Sequence, residues 1–145
     1  MANESGKTVK IKLVSSIIPT EGELEQYEMW LEGSCVEKGN SHYLRYEEVQ
    51  EDLQIQTTIK LNEANSFIMR KGGVNMRLPL NPDLRENGHY ESPFGSLPLI
   101  TDTHQLAIEV VQSEKVSGQF KTQYDLIIGG NSVGHYKLDI QFTEV

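Results

Sequence analysis

The chain has 145 residues, a formal net charge of -8, a sequence pI near 5.0 and a mean hydropathy of -0.44. That length fits one domain with a single sizeable core, and the acidic balance argues against nucleic-acid or anionic-membrane binding, both of which need clustered Lys and Arg. One cysteine, Cys35, excludes an intramolecular disulfide and any cysteine-based metal framework.

The first residues, Met-Ala-Asn-Glu-Ser-Gly, are polar with no apolar segment behind them, so residues 1–6 read as a disordered lead and the chain as cytoplasmic. Residues 7–145 read as one β domain. Val9, Ile11 and Leu13 alternate with Lys10 and Lys12, the pattern of a half-buried strand. Pro19-Thr20-Glu21-Gly22 turns the chain. A long strand over residues 23–37 follows, with Tyr27, Met29 and Leu31 opposite Glu28, Trp30 and Glu32. Trp30 thus falls on the wet face. Gly39-Asn40 is a turn, and the returning strand puts His42, Leu44, Tyr46 and Glu48 on one face. Leu53, Ile55, Thr57, Ile59 and Leu61 form the cleanest alternation in the chain.

Beyond a turn at residues 62–65, short strands cover 66–71 and 74–80, separated by Gly72-Gly73. Residues 81–88 form the longest polar gap and read as a loop. His89 to Ser92, Ser96 to Ile100 and His104 to Gln112 read as three further strands. Gly118 to Ile128 carries Phe120, Tyr124, Leu126 and Ile128 inward, and after Gly129-Gly130-Asn131 the last strand buries Tyr136, Leu138, Ile140 and Phe142. Tight turns and no helical period make this an all-β antiparallel meander. Its edges would be adhesive if left open, so it is expected to close as an up-and-down β-barrel of about 8–10 strands with little or no helix. A sandwich is the alternative architecture, but it would use longer crossovers.

Gly39 to Glu48, Arg70 with Gly72, Tyr90-Glu91-Ser92-Pro93-Phe94-Gly95, Thr101-Asp102-Thr103 and Tyr124 come in an order that resembles the YwiB-like family of uncharacterised bacterial proteins. The resemblance covers nearly the whole chain and implies a calycin-like barrel, the architecture of lipocalins. It implies no activity and no set of functional residues. The chain lacks the Gly-x-Trp of lipocalins near its first strand. It also has no room after that strand for the helical lid of fatty-acid-binding proteins, and no Arg-x-Tyr in its last strands.

Catalytic motifs are weak. Gly130-Asn131-Ser132-Val133-Gly134 matches a nucleophile elbow in letters, but that motif needs a following helix, and here it sits between two strands. Glu47 and Glu48 are adjacent and so point to opposite faces, which prevents a shared acid–base site. The four histidines show no ligand spacing and read as surface residues, so neither metal nor cofactor is expected. The expectation is therefore a protein that is not an enzyme. Tyr46, Glu48, Arg70, Tyr90 and Tyr124 are the candidate ligand-binding residues of the barrel interior, with Glu48 the partner an inward Arg70 requires. The loop at residues 81–88 is the candidate lid. The expected partner is a small amphipathic or aromatic ligand, with no nucleic acid and no membrane, and the protein a monomer or homodimer. The alternative is a filled barrel acting as a protein-interaction module through surface residues such as Trp30.

Overall fold

The computed structural model describes residues 6–145, apart from the side chain of Gln50. Of the lead expected to be disordered, residues 1–5 lie outside that range. Ten strands follow one another: β1 (Lys7–Pro19), β2 (Glu25–Lys38), β3 (Ser41–Gln50), β4 (Leu53–Leu61) and β5 (Ser66–Gly72), then β6 (Asn75–Leu80), β7 (Glu86–Ser92), β8 (Gly95–Gln112), β9 (Val116–Ile128) and β10 (Asn131–Glu144). Each pairs antiparallel with its sequence neighbours, and β1 closes the ring against β10, with Val9 opposite Glu144 and Pro19 opposite Gly134. This is the expected closed antiparallel barrel. No described residues form a helix, and none therefore forms a helix long and apolar enough to cross a membrane.

Closure removes both sheet edges and commits one face of every strand to the interior. β4 follows its alternation, with Ile55, Thr57, Ile59 and Leu61 buried. Val9, Ile11, Leu44, Leu80, Phe120, Ile140 and Phe142 are at most 2 % exposed and pack as one cluster. Gly118 makes room for that packing, since a Cβ there would lie 2.5 Å from Phe142 Cζ. At the β9–β10 hairpin, Gly129 and Gly130 take positive φ angles of 61° and 85°, which L side chains disfavour.

Two sequence expectations are corrected. The stretches 96–100 and 104–112 are not separate strands but parts of the single strand β8, interrupted by a bulge where the register shifts between Thr103 and Gln105. Before the bulge Leu99, Thr101 and Thr103 are buried; after it Leu106, Ile108 and Val110 pack on the core. The inward parity changes from odd to even, which in the sequence looks like a break. The expected loop at 81–88 is also shorter, because Glu86, Asn87 and Gly88 already pair with Thr101, Ile100 and Leu99.

Candidate functional site

An up-and-down barrel has two ends, and strand parity assigns each turn to one of them. The connections after β1, β3, β5, β7 and β9 lie at one end; those after β2, β4, β6 and β8 lie at the other, with both chain termini. A cavity of about 300 Å³ opens inside the first of these ends. Its wall includes Leu13, Met29, Met76, Leu78, Leu126 and Leu138 among apolar side chains, and Tyr46, Glu48, Thr57, Arg70, Tyr124 and Tyr136 among polar ones. The loop after β6 is at the opposite end, so it cannot be the lid of this cavity.

The polar wall is built by cross-strand register. Tyr46 stands opposite Thr57, Thr57 opposite Arg70, Arg70 opposite Met76 and Met76 opposite Tyr90, so one ladder runs across β3 to β7. Register partners share a face, which sends all five inward. Arg70 faces inward although its neighbours Phe67 and Met69 are apolar. Phe67 instead packs outside, 5.0 Å from the Arg77 guanidinium carbon and 6.4 Å from the Tyr43 ring. Glu48, one pleat beyond Tyr46, places Oε1 3.6 Å from an Arg70 terminal nitrogen. That ion pair is mostly withdrawn from solvent, the two side chains being 9 % and 24 % exposed.

Tyr46 is buried, and desolvation raises its hydroxyl pKa well above the usual tyrosine range. Glu48 adds to this, while Arg70 and the nearby Thr57 hydroxyl partly offset it. Tyr124 shifts in the same direction, again chiefly through burial. Both phenols therefore stay protonated near neutrality and keep an O–H to donate. Tyr124 also stacks on Tyr136, its register partner, with ring centroids 5.2 Å apart and planes 3° from parallel. Thr57 is 2 % exposed, and although it lies beside Tyr46, its Oγ1 makes no hydrogen bond of ordinary geometry with the described residues.

Four of the five residues singled out from the sequence, Tyr46, Glu48, Arg70 and Tyr124, come together on this wall. Tyr90 does not. It belongs to the same ladder but is half-buried against the apolar cluster. Sequence reading missed Thr57, taken as one more core position of β4, and the Tyr124–Tyr136 stack. The Gly129-Gly130 hairpin alone would set Tyr124 opposite His135; the register shift between Ser132 and Gly134 is what brings Tyr136 opposite Tyr124, and no local sequence signal announces it.

A second polar cluster lies outside the barrel. The bulge in β8 turns His104 outward, where its Nε2 lies 2.9 Å from Asp125 Oδ2, and His135 Nδ1 lies 2.7 Å from Asp125 Oδ1. Partial burial would raise the Asp125 pKa, but hydrogen bonds with both histidines outweigh it and hold the carboxyl below the usual range. The histidines are distant in sequence and meet only because β8, β9 and β10 are adjacent.

Residues 11–140 match the family model described as "Domain of unknown function (DUF1934)". The chain belongs to that family. It is 25 % identical over 142 residues to the uncharacterised beta-barrel protein YwiB of Bacillus subtilis (strain 168), covering 98 % of this chain and 96 % of that protein. It also superimposes on the crystal structure of the ywiB protein from Bacillus subtilis with a TM-score of 0.82 and 24 % identity, over 97 % and 93 % of the two chains. That likeness fixes the fold. The family description carries no activity, so function has to be argued from the cavity.

Proposed function

We propose that this DUF1934 barrel is a non-enzymatic, cytoplasmic binding protein that holds a small amphipathic or aromatic molecule in the cavity. The observation behind this reading is the composition of the wall. Apolar side chains from six strands surround a short arc of protonated phenols, one guanidinium and one threonine hydroxyl, the mixture that orients a ligand inside an apolar pocket. A guanidinium has more N–H donors than a single carboxylate contact uses, which leaves Arg70 capacity toward a ligand acceptor. The stacked Tyr124 and Tyr136 offer an aromatic wall. Phe94, fully exposed at the tip of the turn after β7, and Leu97 behind it give the same end of the barrel an apolar rim. A volume near 300 Å³ is at the small end for ligand pockets, which favours a single-ring or short-chain molecule.

Native mass spectrometry of protein purified without refolding tests this. The expected result is an added mass that disappears on denaturation, together with binding of an environment-sensitive apolar dye that Arg70→Met weakens. A bare mass with no dye binding overturns the reading. The alternative, a protein-interaction module, rests on Trp30, which is 72 % exposed on β2. Lys12 covers one side of it, with Nζ 5.2 Å from the ring centroid, so part of that surface is already occupied within the chain. The cavity is the better supported site.

A further inference from the structure

We infer that His104, Asp125 and His135, on the outer face of β8, β9 and β10, form a binding site for one divalent transition-metal ion, separate from the cavity. Each of the three residues offers a ligand atom, and these atoms all lie within 4.8 Å of one another. A tetrahedral ion with its donors about 2.0–2.2 Å away separates those donors by roughly 3.3 Å. The nitrogen–oxygen pairs here stand at 2.9 and 2.7 Å, so a small side-chain rotation admits an ion between them. The backbone is already arranged for it. His135 and Asp125 are direct register partners, and the bulge between Thr103 and Gln105 delivers His104 from the third strand.

The surrounding hydrogen bonds point the same way. Gln123 Nε2 donates to Gln105 Oε1 at 2.8 Å, which turns Gln123 Oε1 toward His135 Nε2 at 3.4 Å. The 2.7 Å contact with the Asp125 carboxylate puts the His135 proton on Nδ1 in the metal-free chain; an ion takes that proton's place, and the Gln123 acceptor then receives the proton carried on Nε2. Three converging donors, rather than two, favour the metal. Gln123 then plays the outer role common at metal-bound histidines, fixing the tautomer through the distal nitrogen. Two imidazoles and one carboxylate suit Zn²⁺, Co²⁺ or Ni²⁺ and suit Mg²⁺ or Ca²⁺ poorly. Asp102, the register partner of Asp125 on β8, adds negative charge beside the site and is itself held by Arg85 at 3.3 Å.

The test is titration of untagged full-length protein with Zn²⁺ by calorimetry at neutral pH, and with Co²⁺ by its visible absorption. One ion per chain is expected, with Mg²⁺ inert. His104→Ala, His135→Ala and Asp125→Asn should each weaken Zn²⁺ binding well beyond tenfold and abolish the Co²⁺ band, while Gln123→Ala costs about tenfold as an outer partner. His89→Ala, on an exposed histidine outside the cluster, should change neither. Circular dichroism confirms that each variant is folded; the outward, half-exposed placement of His104 makes that variant safe for the core. No Zn²⁺ binding by the native chain, or binding that His104→Ala and His135→Ala leave intact, overturns the site.

Discussion

The two halves of the barrel interior obey the same strand alternation and hold opposite contents. At the end carrying the termini, Val9, Leu44, Ile59, Leu80, Phe120 and Phe142 fill the lumen and are at most 2 % exposed. At the other end the same alternation delivers Tyr46, Glu48, Thr57, Arg70 and Tyr124, and about 300 Å³ stays open between them. Burying polar groups this way costs free energy that the apolar half has to supply. The filled half is thus the source of stability, and the open half is where the fold can accommodate a site. Each substitution below should fall on one side of that division.

The largest effect belongs in the filled half. Phe120→Ala removes a ring that is 0 % exposed in a cluster spanning several strands, and should destabilise the chain by about 3–5 kcal/mol in denaturant unfolding. A loss below about 1 kcal/mol would mean that the plug is not what holds the barrel, and the comparison would fail.

An intermediate effect is expected at the ion pair. Glu48→Gln leaves the Arg70 guanidinium facing an uncharged amide within the barrel wall, and should lower stability by about 1–3 kcal/mol, less than for a fully buried pair because Arg70 remains partly solvated. The double variant Glu48→Gln with Arg70→Met removes both charges and should recover most of the loss. If the single change leaves the unfolding midpoint where it was, the pair is not part of the fold.

How much of this division could be read from the chain differs by element. β4 was legible because every second residue from Ile55 to Leu61 is buried, with no bulge to shift the count, although Leu53 at its start is exposed. The bulge in β8 was not, because one extra residue reverses parity and looks like a turn when strands are read singly. The inward phase of Arg70 conflicted with apolar Phe67 and Met69, and only the outer contacts of Phe67 with Tyr43 and Arg77 explain the choice. The choice of the loop after β6 as a lid rested on length and polarity alone, and strand parity puts that loop at the end opposite the cavity. The His104–Asp125–His135 cluster is cross-strand by nature, and no local spacing announces it.

The smallest expected effect is also the one that separates stability from site most directly. Thr57 is enclosed in β4 between Tyr46 and Arg70, and its Oγ1 has no hydrogen-bond partner of ordinary geometry. Thr57→Val keeps the shape of the side chain and deletes the unsatisfied hydroxyl, so the barrel should gain about 1 kcal/mol in unfolding free energy. The same change takes a polar contact away from the cavity wall and should weaken dye or ligand binding there. Gain in stability with loss of binding is the trade that a group retained for a site displays. A destabilised Thr57→Val chain would instead show that the hydroxyl is engaged by Tyr46 within the fold. The polar half would then be a satisfied interior, and the cavity would lose its strongest claim to a ligand.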